Sequence, residues 1–338
     1  MPNSVIVGAG TMGWQHARAS VRAKGQVVAV VDRDLQAAAK LAREMGECPT
    51  GQSLDEILRN SSVDVVHLCT PSATHADLAC AVAKAGAHAL IEKPVGETAD
   101  ELTQIAEAFA KAERLFCPVH QYAFQHAFEQ AINRAAEMGR LVRFECDIRS
   151  AGGPAGMEGR DNCTADILPH PLSLMQRLRP RMEVDRIAWH LERPRPGEWL
   201  CSSVLGDGGM AIISISLAAR PTCFKSRILM EEGEIEIDHF NGSAIEVSGS
   251  ISRAYKLFQP FDRNGRGLLN AATNLGRRVA QREWAYPGLV ELVRQFYCAI
   301  SSQRPAMLPV APEAALAVAR TRDMLLAEAY RIDGTNNR

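Results

Sequence analysis

Short apolar runs alternate with amphipathic stretches over the first 120 residues. Runs typical of buried strands occur at residues 5–7, 27–31, 63–68, 89–91 and 116–119. The stretches between them have helical spacing, and the pairs Ser53 with Glu56 and Thr98 with Glu101 are spaced like capping boxes at helix starts. Because strands and helices alternate, we predict a parallel sheet covered by helices, in an N-terminal domain of residues 1–121.

The rest of the chain has a different pattern. Strand-like runs follow one another at residues 141–149, 186–191, 202–205, 211–217, 226–230, 234–239 and 244–247. We predict helices at residues 166–178, 267–282, 288–302 and 312–330. This pattern indicates a C-terminal α/β domain of residues 122–338 with an open, mainly antiparallel sheet. Residues 151–160, rich in Gly and Pro, are either a surface connection or an active-site lid.

Composition narrows the class of protein. The 338 residues are 46% hydrophobic, which suits a two-domain α/β protein, and the net charge of −1 favours neither nucleic acid nor membrane. No apolar run approaches the ~18 residues of a membrane span, and the first strand begins too early for a signal peptide. Nine cysteines are scattered without a C-x-x-C pair, so we expect a reduced, cytoplasmic protein without a metal site.

The first predicted strand leads directly into Gly8-x-Gly10-x-x-Gly13, the glycine pattern of a dinucleotide-binding turn. Gly8 permits a tight turn, Gly10 lets a pyrophosphate approach the backbone, and Gly13 lets the following helix pack closely on the strand. The start of that helix, at Thr11 and Met12, offers unpaired N–H groups to phosphates. The alternative interpretation is a glycine-rich turn that serves packing alone.

A carboxylate ends the second predicted strand. Asp32 lies about 20 residues beyond the glycines, where it can accept hydrogen bonds from a ribose 2′-OH. We therefore expect NAD(H), because this carboxylate would repel the additional phosphate of NADP(H). Arg33 keeps NADP(H) as an alternative, since a guanidinium could accept a 2′-phosphate, although it could also stack on adenine or remain a solvated charge.

The carboxyl ends of parallel strands meet at one edge of a sheet, where ligands bind. From this edge, Lys93 could offer an ammonium group to a substrate oxygen and exchange protons near neutral pH. The alternative is an ordinary Lys-Pro at a strand exit. Other polar strand ends are expected at the same edge: Thr70 with Pro71, Glu92 with Pro94, and His120.

A second group of candidates lies in the C-terminal half. Asp166 and His170 are four residues apart and would share a helix face, where the carboxylate could orient the imidazole as a base. Pro169 and Pro171 flank His170, which limits the pair to the first turn of a helix. A capping aspartate with an incidental histidine is the alternative interpretation.

Taken in order, these motifs resemble those of the glucose–fructose oxidoreductase / inositol dehydrogenase / MocA (Gfo/Idh/MocA) family. The resemblance spans nearly the whole chain and implies an N-terminal Rossmann domain with a C-terminal α/β domain for substrate binding and oligomerisation. It further implies a homodimer or homotetramer. The motifs that carry it are Gly8-x-Gly10-x-x-Gly13, Asp32, Thr70-Pro71 with His75, Glu92-Lys93-Pro94 and Asp166-x-x-x-His170.

The resemblance also implies roles for individual residues. Lys93, Asp166 and His170 match the catalytic residues of the family, and together with Tyr122 they would bind a carbohydrate-like substrate. The implied reaction transfers a hydride between nicotinamide and a sugar, cyclitol or related alcohol or ketone. The implied cofactor contacts are Gly8, Gly10, Thr11, Met12, Gly13, Asp32, Arg33, Thr70, Pro71, His75, Glu92 and Lys93.

Two departures from the family pattern concern the substrate. Family members commonly read D-x-G-x-H-x-x-D at the second motif, where this chain has Leu168 and Ser173 in place of the Gly and the final Asp. The Arg-Phe that many members carry after the sixth strand is replaced by a stretch with Tyr122 and no arginine. An imine or biosynthetic ketone as substrate, or a dinucleotide-sensing regulator without catalysis, is therefore an alternative.

Overall fold

The computed structural model describes residues 1–150, 157–249, 255–280, 286–302 and 304–336. The chain forms two compact units. The first unit comprises residues Met1–Gln121 together with Gly288–Arg320, and the second comprises Tyr122–Pro287 together with Thr321–Arg338. The chain thus leaves the first unit after Gln121, returns to it at Gly288 and enters the second unit again at Thr321.

The described elements have the following bounds. The strands are β1 (Asn3–Val7), β2 (Gln26–Val31), β3 (Thr50–Gly51), β4 (Val65–Leu68), β5 (His88–Ile91), β6 (Phe116–Pro118), β7 (Leu141–Arg149), β8 (His190–Arg195), β9 (Glu198–Val204), β10 (Met210–Ser216), β11 (Cys223–Met230), β12 (Gly233–Asp238) and β13 (Ser243–Ser248). The α-helices are α1 (Thr11–Arg22), α2 (Leu35–Glu44), α3 (Leu54–Asn60), α4 (His75–Lys84), α5 (Ala99–Lys111), α6 (His126–Ala135), α7 (Met157–Ile167), α8 (Pro169–Leu178), α9 (Tyr255–Ala280), α10 (Leu289–Ser302) and α11 (Pro312–Asn336).

The first unit contains the predicted parallel sheet, in the order β3-β2-β1-β4-β5-β6. All of its strand pairs are parallel, and the strand order reverses between β1 and β4, as in a Rossmann fold. Every residue of β4 is buried, because helices cover both faces of a sheet built from β-α units. This confirms the predicted architecture and places the ligand edge at the carboxyl ends of β1 and β4.

Two of the helix starts were predicted as capping boxes. At α5 the N-cap bond of the box is confirmed, because the side chain of Thr98 accepts a hydrogen bond from the backbone N–H of Glu101. Oε2 of Glu101 accepts the N–H of Glu97. At α3 it is wrong: the helix begins at Leu54, but Ser53 makes no side-chain capping bond in the described structure. The spacing of Ser and Glu therefore located the helix start without determining how its N–H groups are satisfied.

The second unit contains a seven-stranded sheet in the order β13-β12-β11-β7-β10-β9-β8. Its neighbouring strands are antiparallel except for β7 and β10, which confirms the predicted mainly antiparallel sheet. Residues alternate along β7 between buried and more exposed positions, as expected for a sheet with one face on the core. The strand predicted at residues 186–191 is wrong in position, because β8 runs from His190 to Arg195.

The helix predicted at residues 166–178 is two helices in the structure. α7 starts at Met157 and ends at Ile167, and α8 starts at Pro169, with Leu168 between them in the α-helical region. Pro169 occupies the first turn of α8, where its missing N–H costs no hydrogen bond. Residues 157–160 of the predicted loop at 151–160 are therefore helical, and residues 151–156 lie outside the described part of the chain.

The closing helices are longer than predicted at two places. α9 begins at Tyr255 rather than at residue 267, and α11 extends to Asn336. α10 packs against α1 in the first unit and brings the buried Tyr297 into its interior. No helix among the described residues is long and apolar enough to cross a membrane.

Candidate active site

The glycine turn connects β1 to α1 at the predicted ligand edge. Gly8 has a φ of +95° and its N–H donates to the carbonyl of Val31, which joins the turn to the end of β2. Gly10 is the N-cap of α1, and its carbonyl accepts from the N–H of Trp14. Because Gly10 has no side chain, it provides no capping hydrogen bond to the N–H groups in the first turn of α1.

The three glycines of this turn differ in the space around them. A Cβ added to Gly13 would lie 1.8 Å from the carbonyl oxygen of Gly8, and one added to Gly8 would lie 2.7 Å from the carbonyl oxygen of Cys69. Packing therefore requires both glycines. A Cβ on the exposed Gly10 would meet no described atom within 4 Å, so the backbone there is open to a pyrophosphate.

The carboxylate of Asp32 is tied to the same turn. Its Oδ2 accepts the N–H of Ala9 at 2.6 Å, and its Oδ1 accepts the N–H of Asp34 at 2.8 Å. A carboxylate offers about four lone-pair sites, so Asp32 can still accept hydrogen bonds from a ribose. Arg33 is exposed next to it. The structure thus places both residues that bear on the choice between NAD(H) and NADP(H) at the end of β2.

His75 joins the exits of β4 and β5. Its Nδ1 lies 2.9 Å from the carbonyl oxygen of Pro94, and its Nε2 lies 2.8 Å from the carbonyl oxygen of Thr70. The ring is buried, with an exposed fraction of 1%. Pro71, by contrast, is exposed at the same edge. His75 therefore positions the backbone of this edge from inside, whatever contacts its neighbours make with a ligand.

Glu92 and Lys93 end β5 in different environments. The carboxylate of Glu92 is buried, with Oε1 3.0 Å from Nε2 of His16 and Oε2 accepting the backbone N–H of Lys93 at 3.2 Å. Lys93 itself is half-buried. The sequence placed both residues among the cofactor contacts; the structure directs the carboxylate of Glu92 toward α1 in the interior of the unit.

Two buried polar side chains follow β6. His120 and Gln121 are 5% and 4% exposed, and neither Nδ1 of His120 nor Oε1 of Gln121 has a hydrogen-bond partner among the described residues. Burial, assisted by the charge of Lys93, lowers the pKa of His120 to about 4, so its ring is neutral at pH 7. Buried polar atoms rarely lack a hydrogen-bond partner, and a bound ligand would provide one for each of these two atoms.

In the second unit, Tyr122 and His170 are in contact. Their rings meet edge to face with centroids 4.9 Å apart, and Tyr122 also packs edge to face on Phe224 at 4.8 Å. Burial, together with the hydroxyl of Tyr286, raises the pKa of Tyr122 to about 12, so the phenol keeps its proton. Ser173, one turn after His170, donates to the carbonyl of His170 at 2.8 Å.

The sequence predicted that Asp166 and His170 share the first turn of one helix, and this prediction is wrong. Asp166 is exposed in the last turn of α7, and His170 is the second residue of α8. The error has a physical origin, because Pro169 starts a new helix between them and Leu168, which is fully buried, anchors the junction. Both residues are nevertheless at the junction of α7 and α8.

Several polar residues that support this region were missed from the sequence. Asp161 on α7 is 1% exposed and accepts hydrogen bonds from Arg193, Trp199 and the N–H of Gly197. In the first unit, no functional role was predicted for His16 or His67. Their partners lie 51 to 230 residues away, so no local spacing could reveal the contacts.

Comparison with known proteins shows which family the N-terminal part of the chain resembles. Residues 3–120 match the model of the Gfo/Idh/MocA oxidoreductase family, described as an NAD-binding Rossmann fold. Inositol 2-dehydrogenase 4 of Saccharopolyspora erythraea is 32% identical over 156 residues, which are 45% of this chain and 46% of that protein. UDP-N-acetylglucosamine 3-dehydrogenase of Acidithiobacillus ferrooxidans is 27% identical over 249 residues, 70% of this chain and 74% of that protein.

The fold is shared over nearly the whole chain. Levoglucosan dehydrogenase in complex with NADH and levoglucosan covers 98% of this chain, with 97% of its own chain matched, a TM-score of 0.74 and 17% identity. The match to the first listed curated relatives, in contrast, spans only about half of their length. Residues 3–120 thus match the NAD-binding Rossmann domain of the Gfo/Idh/MocA oxidoreductases.

Proposed function

We propose that this chain is an NAD(H)-dependent oxidoreductase that acts on a sugar, a cyclitol or a related alcohol or ketone. The observation that carries the proposal is the edge of the first unit, where the open backbone at Gly10, the carboxylate of Asp32 and the half-buried Lys93 follow the carboxyl ends of β1, β2 and β5. NADP(H) is the alternative cofactor, because Arg33 is exposed beside Asp32. Relatives named as inositol and sugar dehydrogenases support the substrate class.

The chain's own residues divide the work as follows. The backbone at Gly10, Thr11 and Met12 and the carboxylate of Asp32 hold the dinucleotide, whose nicotinamide supplies or accepts the hydride. Lys93 donates a hydrogen bond to the reacting oxygen and stabilises negative charge that develops there. His170 takes the hydroxyl proton in the oxidative direction.

Four further residues have proposed roles. Asp166 orients His170 or an adjacent substrate hydroxyl. Tyr122 keeps its proton and presents a phenol and a ring face to a sugar, and it packs on His170. Nδ1 of His120 and Oε1 of Gln121 offer two further polar contacts at the exit of β6. Division of the chain at residue 121 into a dinucleotide-binding and a substrate-binding domain remains part of this proposal.

The test combines turnover with binding. Lys93→Met should lower the rate of hydride transfer by about 10²-fold, because the donor acts where charge develops in the transition state. His170→Ala should lower the rate similarly and remove the limb of the pH profile that is due to the base, the fall in rate at low pH. The two losses should not add, because both act on one oxygen. Dinucleotide affinity, measured by titration calorimetry, should stay nearly unchanged in both.

Matched controls separate these roles from loss of charge or of an imidazole. Lys84→Met removes an exposed lysine from α4, and His126→Ala removes an exposed histidine from α6. Both controls should turn over like the unmodified protein. Unchanged turnover in Lys93→Met, measured on a sugar that the unmodified protein oxidises, would show that the family's catalytic roles do not apply here.

A second candidate function keeps the cofactor and changes the substrate to an imine or a biosynthetic ketone. The buried Ser173 favours this second function. It replaces the final aspartate of the family pattern, and its hydroxyl donates to the carbonyl of His170. A panel of polyols and sugars with NAD⁺, and of imines and ketones with NADH, distinguishes the two. Tight dinucleotide binding without turnover on either panel would instead favour a dinucleotide-sensing regulator.

We also propose that copies of the chain associate as a homodimer or homotetramer, and α9 supports this. Its inner side is polar: Arg263 pairs with Glu236 of β12, and Asn270 donates to the carbonyl of Ala244 in β13. Its outer side carries apolar and small residues at alternating spacings of three and four, the pattern of a coiled-coil seam. These exposed residues are Phe258, Phe261, Gly265, Leu268, Ala272, Leu275 and Val279.

A second copy of α9 is the occupant that this seam fits. The exposed fractions of Phe261 and Leu268 are 77% and 75%, so packing on another copy would remove most of the surface of both side chains from water. In an antiparallel pair, Phe261 would face Ala272 and Leu268 would face Gly265 of the other copy. At these central positions large residues would thus meet small ones, which permits close packing.

Sedimentation equilibrium tests the association. Leu268→Glu should shift the protein to a smaller species, whereas Thr273→Glu, exposed on the same helix but off the seam, should not. A monomeric unmodified protein would contradict the proposal, and binding of that monomer to anionic phospholipid vesicles would identify a membrane as the occupant. We finally infer a cytoplasmic location, supported by nine cysteines that are all free thiols.

A further inference from the structure

A continuous chain of buried hydrogen bonds crosses the first unit. It starts at Oε1 of Glu92, behind Lys93, and ends at the backbone carbonyl of Gln26 on the opposite edge of the sheet. Every side chain in it is buried, with exposed fractions from 0% to 7%. The successive links are Glu92 to His16 at 3.0 Å, His16 to His67 at 2.9 Å, His67 to Tyr297 at 2.8 Å, Tyr297 to Ser20 at 2.9 Å, Ser20 to Ser4 at 2.8 Å, and Ser4 to Gln26 at 3.0 Å.

The far end of the chain determines the direction of the hydroxyl groups. A backbone carbonyl can only accept, so Ser4 donates its single proton to Gln26. Ser20 must then donate to Ser4, and Tyr297 donates to Ser20. Burial raises the pKa of Tyr297 to about 12, so the phenol has a proton to donate.

The same reasoning determines the tautomers of both histidines. Because the proton of Tyr297 is already used, Nε2 of His67 must donate to the phenol oxygen. Burial and then the charge of His16 lower the pKa of His67 well below its ordinary value, so His67 is neutral and its Nδ1 has no proton. Nδ1 of His16 therefore donates to Nδ1 of His67.

One proton remains to be placed at the near end. With Nδ1 of His16 committed as a donor, the 3.0 Å contact between its Nε2 and Oε1 of Glu92 needs a proton on one of the two atoms. We propose that Glu92 and His16 hold one shared proton behind Lys93, and that Tyr297 is the positioning residue that keeps it there. The pair is then an imidazolium with a carboxylate or a neutral imidazole with a carboxylic acid, and has no net charge in either form.

This shared proton matters for Lys93 and the cofactor edge. Oε2 of Glu92 accepts the backbone N–H of Lys93, so the carboxyl group fixes the backbone at the proposed catalytic residue. A pair without net charge draws the ammonium of Lys93 away from substrate less strongly than a lone carboxylate would. Cys69 also faces Glu92; burial and then the charge of Glu92 raise the pKa of its thiol well above the ordinary value, so Cys69 remains protonated.

Tyr297 prevents the loss of this proton. In the reversed arrangement, every hydrogen bond of the chain would point toward Glu92, and the chain would hold one proton fewer. The bond from Ser4 to Gln26 would then be lost. Each hydroxyl group would have to turn, and each histidine would have to change its tautomer. Without the hydroxyl of Tyr297, the reversal stops at His67, whose proton can move to Nδ1 and donate to His16. The near end can then hold one proton fewer while the links from His67 through His16 to Glu92 all keep a donor and an acceptor.

Nuclear magnetic resonance of the full chain labelled with ¹⁵N-histidine tests this directly. In the unmodified protein, His67 should carry its proton on Nε2. In Tyr297→Phe the proton should appear on Nδ1, while Tyr330→Phe, which removes a phenol bonded to Asn162 in the second unit, should leave His67 unchanged. Protonation of His67 on Nδ1 in the unmodified protein, or no change in Tyr297→Phe, would overturn the proposal.

A kinetic arm rests on the proposed function and is separable from it. Tyr297→Phe should lower kcat several-fold with little change in KM, because the altered group acts through Lys93 rather than on substrate binding. Tyr330→Phe should change neither. If the tautomers behave as expected but no substrate is turned over, the proposed reaction fails and the shared proton stands. If Tyr297→Phe turns over normally despite the tautomer change, the positioning role is refuted.

Discussion

The two units bury their polar groups by different means. In the first unit, a chain of hydroxyl groups and histidines runs from Glu92 to Gln26 through single hydrogen bonds. In the second unit, four donors converge on one carboxylate. Asp161 accepts Nε and a terminal nitrogen of Arg193 at 3.0 and 2.5 Å, the indole of Trp199 at 2.8 Å and the N–H of Gly197 at 3.1 Å.

The difference teaches how each unit responds to a change. A chain without net charge can reverse its donors and survive the loss of one link, at the cost of a displaced proton. A buried ion pair has no such freedom, because the partner that remains after a substitution is an uncompensated charge in a medium of low polarity. The first unit should therefore fail in its chemistry before its stability, and the second in its stability first.

The largest expected effect follows from Asp161. Asp161→Asn preserves the shape of the side chain and removes the charge opposite Arg193, which is 6% exposed. We expect a loss of about 3–5 kcal/mol in the free energy of unfolding, because the guanidinium stays buried without its counter-charge. Urea denaturation followed by circular dichroism measures it.

The matched control is Asp32→Asn in the first unit. Asp32 is half-exposed, and its carboxylate accepts two backbone N–H groups instead of a cation. The loss there should be about 1–3 kcal/mol, since only hydrogen bonds to a charged group are weakened. Equal losses in the two variants would show that the ion pair has no special weight and would remove the contrast between the units.

A smaller effect is expected in mild acid, from histidines that are buried and neutral. Burial lowers the pKa of His239 to about 3, and burial with the charge of Lys93 lowers that of His120 to about 4. In the unfolded chain both titrate near pH 6.5, so below that pH the unfolded state binds more protons than the folded state. Stability should fall by about 1.4 kcal/mol per pH unit for each group as the pH drops from 6.5 toward the folded pKa.

Asp161 contributes in a lower window. Burial opposes its ionisation, but the hydrogen bonds from Arg193, Trp199 and Gly197 outweigh burial and hold its pKa below the ordinary value. Its stabilisation is therefore present above the ordinary carboxyl range and is lost as the pH falls through the depressed pKa.

Urea titrations at a series of pH values test the contribution of the histidines. His239→Gln should reduce the loss of stability between pH 6.5 and 4. The same change at the exposed His190 should leave the profile as it was.

Much of the first unit could be predicted because its signals are local. The apolar runs, the glycine turn and Asp32 occur in order within a short stretch. A residue that directly follows a parallel strand lies at the ligand edge of the sheet, so topology alone placed Lys93 and His120 there. The capping prediction at Thr98 held for the same reason, since its partner is three residues away. The box at Ser53 shows the limit: spacing does not ensure that the hydroxyl finds the N–H.

The supporting contacts could not be predicted, because they join residues that are distant in sequence. His67 and Tyr297 are 230 residues apart and meet only because α10 returns to the first unit. Asp161 meets Trp199 across 38 residues. At the second motif, the sequence suggested that Asp166 and His170 share a helix turn, but Pro169 begins a separate helix. Such contacts depend on tertiary packing, which a single sequence does not display.

The smallest expected effect concerns cofactor choice, and it again depends on a carboxylate without a buried cation. Asp32 should exclude the 2′-phosphate of NADP(H) by charge, whereas the exposed Arg33 is solvated and contributes little. We expect NAD(H) to bind more tightly than NADP(H), and Arg33→Ala to change NAD(H) affinity by less than about threefold, as for most exposed charges. Fluorescence titration of both dinucleotides measures this. A preference for NADP(H) that Arg33→Ala abolishes would mean that the guanidinium, and not the carboxylate held by Ala9 and Asp34, determines the cofactor.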